Sequence, residues 1–159
     1  MTELAGFVRI ERHFDAPLDM VWRFWTEAEL FMQWYGPMGM SVPEASMDVQ
    51  VGGTRRVTMQ MNRPDRTMTM YFTGTYTEVT PKTRLVYSEA MCDADGNVLS
   101  PAAMGMPEGT PEMTEVHIEL SEDGTGTRMV MRHIGVPAGS PGEGGWNQAF
   151  DKLAETLAA

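Results

Sequence analysis

The sequence predicts an α+β domain: a curved antiparallel sheet of six to seven strands wrapped around a long C-terminal helix, with two short helices after the first strand. Three observations carry this expectation. Apolar and polar residues alternate with period two in a first segment and then in a long consecutive series of segments. Helical spacing intrudes only between the first segment and the rest. The chain then closes on one long apolar stripe at helical spacing, a face that another element has to cover. A sheet with one apolar face meets that need by curling around the helix. The span 1–159 is read as one domain with its core at about 7–158.

From Phe7 to Phe14, residues Val8, Ile10 and Phe14 fall on one side and Arg9, Glu11 and His13 on the other, with Arg12 interrupting the apolar face. Pro17 suits a first helical turn, and Leu18, Val21, Trp22 and Trp25 follow at helical spacing. Thr26 and Glu29 read as a capping box that opens a second short helix, ending before Gly36-Pro37. Val42 to Val49, Thr54 to Met61, Thr67 to Val79 and Arg84 to Met91 then alternate. They are separated by Gly52-Gly53, Arg63-Pro64-Asp65 and Thr80-Pro81-Lys82, and such short connections make an antiparallel meander.

Residues 92–112 lose periodicity and collect Gly, Pro, Asp and Ala, which reads as a lid or surface excursion rather than a simple turn. Two strands follow. Glu112 to Leu120 places Val116, Ile118 and Leu120 on one face, and Thr127 to Ile134 places Met129, Met131 and His133 opposite Arg128 and Arg132. In the final helix Ser140 reads as N-cap, Pro141 as first residue and Glu143 as capping-box partner. Its apolar stripe is Trp146, Ala149, Phe150, Leu153, Ala154 and Leu157. The wedge between such a helix and a curved sheet is a natural apolar ligand pocket.

With 159 residues, 42% hydrophobic and 21% charged, and a mean hydropathy of -0.27, the chain has the profile of one soluble globular domain. Its size permits a sizeable core without a disulfide or metal staple. The 12 Lys plus Arg against 22 Asp plus Glu give a formal charge of -10, opposite to the footprint of a phosphate-backbone binder. Nucleic acid and membrane are therefore excluded as expected partners, and no apolar run approaches the roughly 18 residues of a membrane span. A single cysteine, Cys92, and the lack of a basic-then-apolar leader point to a cytoplasmic protein.

The stretches FDAPLDMVWRFWTEAELFMQWYGPMG, VGGTRRVTM, GTYTEVTPKTRLVYSE and GTRMVMRHIGVPAGSPGEGGWNQAFDKL resemble, in order from about Val8 to Leu157, the activators of heat-shock protein 90 ATPase and their homologues. That family belongs to the START-like (SRPBCC), helix-grip superfamily. Its motif W-T-x-x-E-L followed by W-x-G-P falls on Trp25, Thr26, Glu29, Leu30, Trp34, Gly36 and Pro37. The resemblance implies that these residues cap helices and floor a pocket, and it speaks for architecture more than for activity. It also implies that chaperone-stimulating members carry a separate amino-terminal domain, for which 159 residues leave no room.

Among residues that carry chemistry, the 16 methionines stand out. Met59, Met61, Met68, Met70, Met129 and Met131 form M-x-M pairs in strands, each pair sharing a face. Ordinary core filling is the first reading and lining of an adaptable apolar pocket the second. Cu(I) binding is a distant third, because a cytosolic site would recruit thiolate. Glu89, in phase with Leu85 and Tyr87, and His133, in phase with Met129 and Met131, are the acid and imidazole that fall on inward faces. Together they would make a general acid/base pair, although a structural histidine and a rim glutamate are the simpler reading.

Tyr71 and Tyr76 fall on opposite faces of one strand, so only one of them can offer a pocket its hydroxyl. His13, in phase with Arg9 and Glu11, and His117, between Glu115 and Glu119, sit on solvent faces. Three histidines without H-x-x-x-H spacing and one cysteine argue against zinc. Asp93-Ala94-Asp95-Gly96-Asn97 begins like a calcium loop but carries Gly in the fourth place and Met104 in the twelfth, and it reads as a turn. No G-x-S-x-G elbow supports hydrolysis, and Gly52-Gly53 and Gly142 to Gly145 read as turn and close-packing glycines.

The leading expectation is a binding protein, possessing no cofactor or metal, that holds a small lipophilic or aromatic molecule between the sheet and the C-terminal helix. Trp22, Tyr71, Met129, Met131, His133, Trp146 and Phe150 are the expected lining. The second is a cyclase- or dehydratase-like enzyme using Glu89 and His133. The third is a stress-related protein that contacts a chaperone or client, and it rests on the resemblance alone; a chaperone and a second copy of the chain are the protein partners considered.

Overall fold

In the computed structural model, which describes residues 6–106 and 108–158, strand β1 (Phe7–Phe14) leads into helices α1 (Leu18–Thr26) and α2 (Ala28–Phe31). Then come β2 (Met40–Met47), β3 (Thr54–Arg63), β4 (Arg66–Thr80), β5 (Arg84–Cys92), β6 (Thr114–Asp123) and β7 (Gly126–Pro137), and finally α3 (Pro141–Ala158). The strands form one seven-stranded sheet in the order β1-β7-β6-β5-β4-β3-β2, antiparallel throughout. First and last strands are therefore neighbours, and α1 and α2 carry the chain from one edge of the sheet to the other. The sheet curls into a half-barrel, and α3 packs on its β1–β7 side.

Alternation decides which residues enter the core. Val8, Ile10 and Phe14 of β1, Val116, Ile118 and Leu120 of β6, and Met129 and Met131 of β7 are buried beneath Trp146, Ala149, Phe150 and Leu153 of α3. Ala154, expected in the same stripe, is exposed, because the helix turns it past the edge of its contact with the sheet. Arg12, which interrupted the apolar pattern, reaches across to α3. Its guanidinium donates to Asp151 Oδ1 at 3.0 Å and to the Asn147 carbonyl at 3.1 Å, tying β1 to the helix.

The short helices close one end with a cluster of rings. Trp34, fully buried, donates its indole N–H to the Phe24 carbonyl at 2.9 Å. Its ring lies 4.8 Å from Trp25, 5.6 Å from Phe31 and 6.0 Å from Phe150. The expected capping box at Thr26 is not formed. The Thr26 hydroxyl donates back to the Trp22 carbonyl in the last turn of α1, and Glu27, extended and without a side-chain cap, separates the helices.

The box at Ser140 is also displaced. Glu143 Oε1 accepts from the Gly139 N–H at 3.0 Å, while the buried Ser140 hydroxyl has no partner among the described residues. Turn chemistry otherwise follows the expected residues: Pro64-Asp65 links β3 to β4 as a two-residue hairpin, and Gly52 adopts φ +87°. β2 begins at Met40 rather than Val42, and β6 begins at Thr114 rather than Glu112.

Residues 92–112 carry an isolated bridge from Cys92 to Val98 and one 3-10 turn, Ala102–Met104. Asp93 Oδ1 accepts from the N–H groups of Asp95 and Asn97, so this carboxylate caps its own turn. The outer face of the sheet bears cross-strand ion pairs, among them Arg84–Glu119, Arg132–Glu119 and Arg128–Glu11. His13 lies there between Asp15 and Asp123, and His117 bonds to Glu115. Among the described residues, no helix is long and apolar enough to cross a membrane.

Candidate functional site

Where α3 diverges from β3 and β4, the wedge holds a solvent-open cleft of about 230 Å³, termed the inner cavity for its place against α3. Met59 of β3 and Met70 and Phe72 of β4 form one wall, and Gly142, Gly145, Trp146 and Ala149 of α3 form the other. Tyr35, Pro37 and Met40 floor it, with Glu89 and His133 at one end. The close approach of α3 depends on its glycines. A Cβ at Gly142 would stand 2.8 Å from Val136 Cγ1, and one at Gly145 would stand 3.1 Å from Pro37. A second chamber of about 680 Å³, set on the side of the 92–112 segment and termed the outer one, shares Phe72, Glu89, His133 and Pro141 with the first and includes Pro101, Met104 and Met106 among its walls.

Behind Glu89 lies a group that the sequence reading did not single out. Arg55 is 1% exposed, and its Nη1 donates to Glu89 Oε2 at 3.2 Å. Its guanidinium carbon stands 3.9 Å from the ring centre of Tyr87, 5.2 Å from Phe31 and 5.3 Å from Tyr35. An arginine is weakly hydrated and stacks on aromatic faces, which suits it to such a box. The Tyr35 hydroxyl adds a weaker contact to Glu89 Oε2 at 3.4 Å and lies 3.1 Å from the Tyr87 hydroxyl. Burial, reinforced by the Glu89 charge, pushes the Tyr35 phenol up, so it stays protonated and able to donate. The signal for Arg55 was its phase: it falls on the same face of β3 as Val57 and Met59.

His133 is held from both sides. The Trp146 indole N–H, which can only donate, points at Nδ1 from 2.9 Å. Nδ1 is therefore the acceptor, and the proton of the neutral ring sits on Nε2, 2.9 Å from Thr114 Oγ1. Thr114 passes its own proton to the Glu89 carbonyl at 3.3 Å. This chain leaves no room for a second proton on the ring. Burial lowers the His133 pKa, with the Glu89 charge opposing and Arg55 assisting.

The expected consequence is an acid-sensitive fold. The unfolded chain takes up a proton at His133 below about pH 6.5 while the folded chain resists it. That stability is present above the unfolded value and is lost as pH falls below it. His13, raised by Asp123 and then Asp15, works with the opposite sign, so replacing it with glutamine exposes the His133 slope. Long-range nitrogen–proton NMR at neutral pH is expected to show the Nε2–H tautomer for His133. An Nδ1–H signal would contradict the assignment.

Of the seven residues expected to line the pocket, His133 and Trp146 do so. Met129, Met131 and Phe150 lie deeper, fully buried in the core. Trp22 is half-buried on α1, packed against the core away from the cavity. Tyr71 alternates out of phase with Met70 and Phe72, and it lines a separate, more polar pocket of about 200 Å³ with Glu44, Arg56 and Thr58. The methionine pairs divide accordingly. Met59 and Met70, directly opposite each other across β3 and β4, line the cavity, and Met129 and Met131 fill the core. Glu89 and His133 do share the cavity, but His133 is linked through Thr114 to the Glu89 backbone rather than to its carboxylate. Among the described residues, no cluster of His, Cys, Asp or Glu is arranged to hold a metal.

The model of a protein family described as Activator of Hsp90 ATPase homolog 1-like protein matches residues 15–158. No curated protein matches the chain. Solved structures do, at sequence identities that establish the fold alone. A protein from Chromobacterium violaceum is 23% identical with a TM-score of 0.75, the alignment covering 98% of this chain and 99% of that one. One from Nitrosomonas europaea is 22% identical with a TM-score of 0.71, covering 99% and 97%. The AHSA1 protein of Silicibacter pomeroyi is 20% identical with a TM-score of 0.70, covering 95% and 96%.

Proposed function

The chain belongs to the Activator of Hsp90 ATPase homolog 1-like family, and from that premise we propose that it binds a small hydrophobic or aromatic molecule in the wedge between the sheet and α3. The observation that carries this reading is the inner cavity of about 230 Å³, walled by methionine, phenylalanine, proline and tryptophan and sharing part of its wall with a larger chamber. Such a space in a core of this size favours occupation by an apolar solute, and concave apolar sites with a few convergent polar groups are the usual form of ligand pockets. Unbranched thioethers at Met40, Met59 and Met70 repack around different shapes, which suits a site that accepts more than one compound.

The acid–base reading has less support from the geometry. A general acid/base pair needs an imidazole free to gain and lose a proton, and both His133 nitrogens are engaged. Binding is tested by following thermal unfolding against a panel of flavonoids, sterols, fatty acids and small aromatic compounds. A ligand present at 100 times its dissociation constant is expected to add about 2.7 kcal/mol of stability. Saturable stabilisation by one chemical class supports the reading, and an unchanged melting temperature across the panel contradicts it.

A further inference from the structure

The polar end of the inner cavity is one-sided. Both contacts to the Glu89 carboxylate, from Arg55 and from Tyr35, fall on Oε2. Oε1 has no partner among the described residues, and Glu89, with a side chain 12% exposed, is part of the wall of both chambers. The side-chain N–H and O–H groups of the inner wall are, in contrast, already engaged. Trp146 donates to His133, the neutral His133 ring gives its one proton to Thr114, and the Tyr35 hydroxyl lies between Glu89 and Tyr87.

The charge pattern agrees. Among the described residues, no lysine or arginine lines either chamber, whereas Glu89 lines both and Glu112 lines the outer one. The first turn of α3 does not compensate, since the Glu143 carboxylate already occupies that helix end and accepts from Gly139. An anionic guest would face carboxylate oxygen with no cation to meet it. A cationic guest fares little better, because Arg55 already neutralises Glu89 and an extra charge would sit in an apolar cleft without a counter-ion.

Resting on the reading that this cavity binds a small apolar molecule, we infer that the buried end of the ligand is a neutral hydrogen-bond donor, a hydroxyl or N–H group, received by Glu89 Oε1. The site thus selects phenols, alcohols and neutral amines over carboxylic acids of the same skeleton. Arg55 acts as a positioning residue, holding Oε2 from behind so that Oε1 faces the cavity.

The test is calorimetric titration of the protein with naphthol, methoxynaphthalene and naphthoate, which share one ring system and differ in the polar group. Naphthol is expected to bind at least about tenfold more tightly than either of the others, the scale of one hydrogen bond to a charged group. The double variant R55M/E89M replaces the ion pair with apolar side chains of similar length. It is expected to bind naphthol and methoxynaphthalene alike. Equal binding of all three to the natural protein, or tightest binding of naphthoate, overturns the inference and leaves the cavity reading standing. A naphthol preference that survives in the double variant removes Glu89 as its source. If none of the three binds, the cavity reading fails and the inference falls with it.

Discussion

Replacing Arg55 with alanine is expected to cost about 3–5 kcal/mol of unfolding free energy, the range for breaking a buried ion pair from one side. The substitution leaves Glu89 without its cation, and it empties the space between Tyr87, Tyr35 and Phe31, where the guanidinium makes three ring contacts. The carboxylate left behind, with a side chain 12% exposed, recovers only part of this loss through solvent. The R55M/E89M protein, with both charges removed together, is expected to lie much closer to the natural stability, because apolar replacement of a buried pair is often neutral or favourable. Urea denaturation of the three proteins measures both effects. An R55A cost below about 1 kcal/mol would show that the pair contributes nothing to the fold.

The second large effect is expected at Trp34. Its side chain is fully buried, donates to the Phe24 carbonyl and sits at the centre of the ring cluster formed with Trp25, Phe31, Tyr35 and Phe150. Trp34→Ala is expected to cost about 3–5 kcal/mol, as large-to-small changes of buried aromatics do. Trp34→Phe keeps most of the packing and is expected to cost about 1–3 kcal/mol for the carbonyl left unpaired. Equal losses in the two variants, read from the same denaturation curves, would contradict the separate role given to the indole N–H.

Trp34 also shows how far the sequence was legible. The tryptophans at 25 and 34 lie in a recognisable motif, and the structure uses both as the aromatic floor of the fold. Period-two alternation located the outer strands because one face of each is buried more than the other, β5 is buried on both faces, and the stripe of α3 was readable at Trp146, Ala149, Phe150 and Leu153 because one helix face is covered. Ends were less legible. Thr26 carries a capping signature, yet its hydroxyl finds a nearer acceptor one turn back, and only the backbone geometry at Glu27 reveals that.

The cavity was harder to read. Its place in the wedge follows from the architecture, but which residues meet there depends on strand register and on how far α3 diverges from the sheet. Tyr71 and Phe72 are adjacent and chemically similar, and the pleat alone sends Phe72 in and Tyr71 out. Arg55 carries a charge, which marks a residue for solvent until a facing carboxylate and three rings are known. His133 and Glu89 were identifiable from phase, whereas the Trp146 bond that sets the imidazole's proton is invisible without the helix in place.

The most direct test of the central claim is a methionine-methyl NMR titration of the natural protein with naphthol. Met40, Met59 and Met70 line the inner cavity, while Met38 and Met113 are exposed elsewhere, and Met129 and Met131 are sealed in the core. Binding in the wedge predicts saturable shifts of the Met40, Met59 and Met70 methyl signals, with Met38 and Met113 unmoved. Shifts confined to Met38 and Met113, or no saturable shift at all, would contradict it.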